Sequence, residues 1–278
     1  MTMRTSTAWH RGVPHHEGGG DQTSAMAAAP DPAPTAAPAP SGWHRFTTAE
    51  PPEGTGGTVA VYGADLPSEA DLRLLGNVDG RRILDLGCGT GHNAVVFATQ
   101  GAKVIGVDPS ADQLAHARDR AEEAEVRVEL HHAGLADLAF LRSDSIDAAI
   151  SVLALATVDD LARVFRQVHR VLKPEASLVC SFPHPAFAML DPTADDPLRV
   201  VRPYDQAEPR TWQLGGQDVV DHPRTIGDIF TTLHRSSFGV DQLLEPTAAV
   251  SGHHGAHFAE AMRTVPATVI FRARKQGN

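Results

Sequence analysis

The sequence predicts an α/β fold: a doubly wound, mainly parallel sheet with helices on both faces. Three observations predict it. From Arg82 onward, short apolar runs alternate with segments of helical period, in the order β-α-β-α. The first of these runs ends directly in glycines that open a helix, Asp85-Leu86-Gly87-Cys88-Gly89-Thr90-Gly91. The chain has 278 residues, 42% of them apolar, which is enough to bury a core between such layers.

The elements follow in order. Ile83 to Leu86 is a short apolar strand. Asn93 to Gln100 reads as a helix, with Gly101 placed as its C-cap. Lys103 to Val107 is the next strand. Ser110 and Gln113 have the spacing of a capping box, ahead of Leu114, Ala117 and Ala121 on one helical face. Val126 to His131 and Ala148 to Val152 are strands. Leu161, Val164, Phe165, Val168, Val171 and Leu172 repeat with a period near 3.6, and Lys173-Pro174 ends that helix. Ser177 to Phe182 is the fifth strand. Thr225 caps a helix carrying Ile226, Ile229, Phe230 and Leu233, and Val240 to Leu244 and Ala267 to Ala273 are two further strands.

Three segments stand outside this rhythm. Residues 1–41 form a Pro/Ala-rich tail, ending in Met26 to Ser41, whose prolines stop both helix and sheet and whose few large apolar residues predict disorder. Residues 42–80 restore apolar and aromatic mass through Trp43, Phe46, Val59, Val61, Tyr62 and Leu66, with a short helix after Pro67-Ser68, and read as an N-terminal cap on the main domain of residues 81–278. Residues 183–222 carry six prolines with Tyr204 and Trp212, and read as an insertion on the substrate side.

Composition excludes several classes. A formal charge of −10, from 34 Asp+Glu against 24 Lys+Arg, argues against a nucleic-acid partner, because phosphate binding rests on clustered Lys and Arg. Two cysteines, Cys88 and Cys180, exclude a disulfide scaffold and fit a reducing, cytoplasmic setting. The run Ala148 to Val158 falls short of the ~20 residues of a membrane helix, and no apolar signal region opens the chain.

The glycine turn carries the chemistry. From Gly87, the dinucleotide fingerprint G-x-G-x-x-G fails, because its third position falls on His92. From Gly89, the looser form with Gly91 and Ala94 fits, but Asp85-Leu86-Gly87 then makes the first turn too long. A carboxylate at the strand end also suits a cationic ligand better than a pyrophosphate. A second acid, Asp108 in Val107-Asp108-Pro109-Ser110, ends the next strand 23 residues after Asp85. An acid about 20 residues on, at a strand end, is placed to accept ribose hydroxyls.

Leu84-Asp85-Leu86-Gly87-Cys88-Gly89-Thr90-Gly91 resembles the first motif of the class I S-adenosylmethionine (SAM)-dependent methyltransferases. Val107 to Ser110, Ser145 to Ser151, Val168 to Pro174, and the C-terminal run from Phe238-Gly239 to Ala273-Arg274-Lys275 resemble further markers of that family in the same order, over roughly residues 81–275. The resemblance implies a Rossmann-like sheet of seven strands with the last antiparallel. It implies that Asp85, Gly87, Gly89 and Gly91 hold the methionine end of SAM and Asp108 the ribose. Where the family often has an acid near the adenine, this sequence has Gly134 and Leu135, so Leu135 or a displaced Asp137 takes the adenine edge. Pro174-Glu175-Ala176 stands where Pro-Gly-Gly is common in the family.

The reaction implied is in-line methyl transfer to a small-molecule acceptor, for which placing the nucleophile supplies much of the rate and a general base is optional. His184, just past the fifth strand, is the candidate base. Tyr62, Tyr204 and Trp212 are the candidate substrate-binding residues. The alternatives are a SAM-binding module without catalysis and a nicotinamide-dependent oxidoreductase using the Gly89-Gly91-Ala94 register. His253, His254 and His257 lack a neighbouring acid or cysteine in a ligand pattern, so no metal is expected. Cys88 is read as a small loop residue and Cys180 as core.

Overall fold

The computed structural model describes residues 58–63, 65–192, 194–214, 217–248 and 258–277. The predicted tail of residues 1–41, residues 42–57 of the predicted cap, and His253, His254 and His257 lie outside the described residues.

β1 (Arg82–Leu86) sits between β2 (Lys103–Asp108) and β4 (Ile146–Val152) and pairs in parallel with both. β3 (Val128–His132) extends the sheet beyond β2, and β5 (Leu172–Pro183) extends it beyond β4, also in parallel. β9 (Thr268–Lys275) then pairs antiparallel with β5 and with β8 (Phe238–Leu244). The seven strands run β3-β2-β1-β4-β5-β9-β8, with the last strand in sequence the antiparallel one. The chain therefore reverses its strand order beside β1, which leaves a crevice at the carboxyl ends of β1 and β2.

Each face of the sheet is covered by helices whose apolar stripes the sequence dictates. On one face, Leu161, Val164, Phe165 and Val168 of α4 (Leu161–Val171) and Ile229 and Leu233 of α6 (Ile226–Arg235) share one buried cluster with Leu84, Leu86, Ile105 and Val107 of the sheet, α6 lying against α4 and β8. On the other face, Ala94, Val96 and Phe97 of α2 (His92–Thr99) pack on Ile83 and Val104. α3 (Ala111–Glu123) starts at Ser110, whose Oγ accepts the Gln113 amide, and α6 starts at Thr225 in a capping box with Asp228.

Three sequence expectations shift. α2 ends at Thr99 with Gln100 as its cap, and Gly101 follows one residue later with φ +88°. Lys173-Pro174 does not separate helix from strand: α4 runs straight into β5 at Leu172. The register then jumps from Ile146–Leu172 to Ala148–Ser177, so residues 173–176 form a bulge around Glu175, where φ is +61°. Residues 183–222 contain the short α5 (Pro185–Ala188) and a hairpin, β6 (Arg210–Leu214) with β7 (Gln217–Asp221).

The described part of the cap, residues 58–80, is fastened from within. Glu69, in α1 (Glu69–Leu72), is buried, and its carboxylate accepts the amides of Leu74, Leu75 and Gly76 at 2.8–2.9 Å and the hydroxyl of Tyr62. Tyr62 is fully buried in the α2-side core, and burial, then the adjacent carboxylate, pushes its phenol pKa well up. The expectation that Tyr62 binds substrate is thus corrected: its ring is core and its hydroxyl is spent on Glu69.

Removing the Glu69 carboxylate leaves three backbone amides and a phenol without their acceptor. Glu69→Ala is expected to lower unfolding free energy by about 3 kcal/mol, and Glu69→Gln by less, as measured by urea denaturation.

Candidate functional site

The crevice at the carboxyl ends of β1 and β2 is a cleft of about 440 Å³, within the size range of small-molecule and cofactor sites. Its floor is the glycine turn. Gly87 has φ +77°, and a Cβ there would lie 2.1 Å from the Ala154 Cβ. Gly91 has φ +76°, and a Cβ there would lie 2.8 Å from the Ala117 Cβ. Side chains at these two positions would push the turn off the elements beneath it, so the close approach requires glycine.

Asp85 and Asp108 reach the cleft from the ends of neighbouring strands. Asp85 is 2% exposed; one oxygen, Oδ2, is buried without a hydrogen-bond partner. Burial, then the neighbouring Asp108, pushes its pKa up to about 7, against a smaller opposing effect of the Ala94 amide. Asp108 accepts the Gly89 amide on Oδ2 and the Ser110 amide on Oδ1, each at 2.8 Å. Burial raises its pKa despite these bonds. Each of its oxygens keeps a lone pair for a further donor.

The remaining walls are mostly apolar. Leu135 and Leu153 face the cleft, as does Ala154 from the 3-10 turn Ala154–Thr157. Asp218, Val219 and Val220 of β7 close the far side. Val219 packs on Leu153 and Ala156, and the His222 amide donates to the Ala156 carbonyl at 2.8 Å, so the hairpin is seated on the turn after β4. On the cap side, Asn93 bonds the backbone of Val61 twice at 2.9 Å, amide to Oδ1 and Nδ2 to carbonyl, and His92 Nε2 meets the Val59 carbonyl at 2.9 Å.

The structure brings Asp85, Gly87, Gly89, Asp108 and Leu135 to this one cleft, with Gly91 at the N-cap of α2 beneath it. Asp137 lies outside, paired at the surface with Arg163. His184 is not brought to the cleft, which corrects its expected role as base. It is 5% exposed; Nδ1 accepts the Ala186 amide at 3.1 Å, capping α5, and Nε2 lies 2.7 Å from Glu245 Oε1. The first bond places the proton on Nε2, where it is donated to Glu245. Both ring nitrogens are therefore committed. Tyr204 lines a separate, smaller cavity described below, and Trp212 lies in β6 opposite Val219. Burial raises the thiol pKa of Cys88 and of Cys180, so neither is a nucleophile.

Sequence reasoning missed His92, Asn93, Thr157 and the β7 wall. His92 and Asn93 directly follow the glycine turn and were visible as polar residues at a helix start. The alternation in Asp218-Val219-Val220-Asp221 is too short to announce a strand against the surrounding prolines.

The charge of the cleft decides what it holds. Its described lining has three carboxylates, Asp85, Asp108 and Asp218, and no Lys or Arg. Carboxylates without a neighbouring cation favour a ligand with positive charge, and a pyrophosphate would meet repulsion with nothing to compensate it. A diol-bearing ligand with a cationic end fits this donor set: Asp108 for hydroxyls, Asp85 for the cation, and Leu135 for a flat apolar base.

Comparison with known proteins agrees. A family model described as a methyltransferase domain matches residues 83–175. The solved S-adenosylmethionine dependent methyltransferase from Mesorhizobium loti is 33% identical, with a TM-score of 0.62 over 73% of this chain and 95% of that one. The ubiquinone biosynthesis O-methyltransferase of Alkalilimnicola ehrlichii is 37% identical over 109 residues, 39% of this chain and 44% of the relative. The demethylmenaquinone methyltransferase of Clavibacter sepedonicus is 35% identical over 135 residues, 48% of this chain and 54% of the relative. The chain thus spans about half the length of these two relatives.

The unpaired Asp85 has a measurable cost. Its folded pKa of about 7 lies above its unfolded value near 4, so the folded state binds the extra proton and stability falls as pH rises between them. Asp85→Asn is expected to match the parent below pH 4 and to exceed it by on the order of 1–3 kcal/mol at pH 8, as measured by chemical denaturation without ligand.

Proposed function

We propose a small-molecule methyl acceptor for this chain, which belongs to the class I SAM-dependent methyltransferase family. It is an enzyme of that family and its cofactor is SAM. The observation that carries the reading is the pair of strand-end carboxylates, one with an unpartnered oxygen, in a cleft whose described lining has no Lys or Arg.

SAM supplies, when bound, a methyl group already activated on a sulfonium. The chain's own residues then have three tasks. Asp108, fixed by the Gly89 and Ser110 amides, accepts the ribose hydroxyls. Asp85 balances the positive charge of the methionine end, over the turn made by Gly87, Gly89 and Gly91. Leu135 and Leu153 cover the adenine with apolar surface. The β6–β7 hairpin, within residues 183–222, walls the far side of the cleft, where the acceptor would be positioned against the methyl group.

His184 is committed elsewhere, and His92, the imidazole in the cleft lining, holds the Val59 carbonyl through Nε2; with no base assigned, an acceptor that ionises easily is favoured, because it delivers its nucleophile without one. The names of the two quinone-pathway relatives support a small-molecule acceptor. The acidic balance of the chain disfavours nucleic acid in that role. Among the described residues, no helix is long and apolar enough to cross a membrane.

Calorimetric titration tests the assignment. S-adenosylhomocysteine is expected to bind with micromolar affinity and NAD(H) not to bind, and Asp108→Ala is expected to weaken S-adenosylhomocysteine roughly 10- to 100-fold, the worth of one or two hydrogen bonds to a charged group. Binding of NAD(H) alone, or an unchanged affinity in Asp108→Ala, would contradict it.

A further inference from the structure

A second cavity, of about 40 Å³, opens on the same edge of the sheet, where β5 ends and the 3-10 turn follows β4. Phe182 and Pro183 at the end of β5, Pro185 of α5 and Ile229 of α6 give it an apolar floor. Arg210, Arg224, Tyr204 and Asp221 stand around it.

The two guanidinium groups differ. Arg224 is spent on backbone, donating to the carbonyls of His222, Val158 and Asp159. Arg210 opens β6 directly across from Asp221 of β7, and its Nη2 is buried with no hydrogen-bond partner. Arg202, close enough to repel Arg210, donates to the Leu190 carbonyl at 2.8 Å. Arg224 has Asp159 and Asp228 beside it and Arg210 has Asp221, but Arg210 keeps one buried donor, Nη2, unspent. A buried donor of this kind is satisfied by an acceptor atom brought from outside the fold.

Size narrows what brings it. The cavity exceeds the roughly 10–15 Å³ that admits one water, and is far below the ~300 Å³ at which whole small molecules are enclosed. It takes an end group. A carboxylate has the right size, and its planar pair of oxygens matches the guanidinium fork.

Position connects the cavity to the reaction. The turn after β4 is shared: Ala154 and Thr157 face the cofactor cleft, while Ala156 faces the cavity. β7 divides likewise, with Asp218 to Val220 on the cleft and Asp221 on the cavity. The cavity and the cleft thus lie on either side of one shared wall, built from the turn after β4 and from β7.

We infer that the cavity is the anchor for the acceptor's carboxylate, held by Arg210, and that the acceptors are small organic acids. The inference rests on the methyl-transfer reading above and names its substrate class. Arg210 binds and orients; it takes no part in bond making.

The test uses the full-length chain saturated with S-adenosylhomocysteine, titrated with benzoate and with benzamide, its neutral isostere. Benzoate is expected to bind roughly ten-fold more tightly, the worth of one charge-assisted hydrogen bond. Arg210→Gln is expected to bring the two within about two-fold, and Arg210→Lys to restore part of the preference, because charge returns without the fork. Both variants are expected to keep the parent affinity for S-adenosylhomocysteine, which shows them folded. Benzoate and benzamide behaving alike in the parent, including neither binding, would overturn the inference, as would a benzoate preference that survives Arg210→Gln. Either result with S-adenosylhomocysteine still bound leaves the methyltransferase site standing. Failure of S-adenosylhomocysteine to bind the parent would strike that site and this anchor together.

Discussion

Burial of Asp85 without a counter-charge is the constraint around which the cleft is organised. A carboxylate at the end of a central strand is shielded by α2 on one side and faces Asp108 on the other, and the shielding dominates its raised pKa. Under the proposed function, the same geometry would favour a bound cation. The sheet register makes the burial unavoidable. β1 pairs in parallel with β2, so that Leu86 lies beside Val107 and the two strand-end acids converge on one edge. Asp108 then fastens the glycine turn by accepting the Gly89 amide. In the proposed function, cofactor binding and the geometry of the turn would thus share these carboxylates.

The elements around the cleft are attached to it by distinct means. The cap is pinned by Asn93, which gives the Val61 backbone both a donor and an acceptor, and is stiffened internally by Glu69. The hairpin is seated by Val219 on the turn after β4 and by the His222 amide. His184 serves the same architecture, holding the start of α5 and Glu245 beyond β8. A histidine past a sheet edge therefore acts as a fastener between two loops, and its position alone says nothing of proton transfer.

Much of the sheet, and the residues that meet at the floor of the cleft, were legible in the sequence. Ile83 to Leu86, the turn after it and Asp108 are local signals: an apolar run, obligatory glycines and an acid at a fixed distance. The period of Leu161, Val164, Phe165 and Val168 equally fixes α4, whose apolar stripe is the core contact. What failed depends on packing between distant segments. Tyr62 and His184 are amphipathic residues that line a pocket or fill a core according to which partner reaches them, and Glu69 and Glu245 reached them first. The bulge at residues 173–176 arises from a mismatch between β4 and β5, which no local pattern encodes. The β6–β7 hairpin lies among prolines that hide its alternation, and with it the wall that β7 gives the cleft.

The most direct measurement is the proton balance of cofactor binding. SAM is titrated into the protein at pH 6.5 in buffers of different ionisation enthalpy, with Asp85→Asn alongside. A cation placed against the Asp85 carboxylate lowers its pKa from about 7, so binding is expected to release a proton from the large fraction of molecules that carry it at that pH. The release is expected to vanish in Asp85→Asn. Binding of SAM with no proton exchange, or with the same exchange in both proteins, would contradict the placement of positive charge at Asp85.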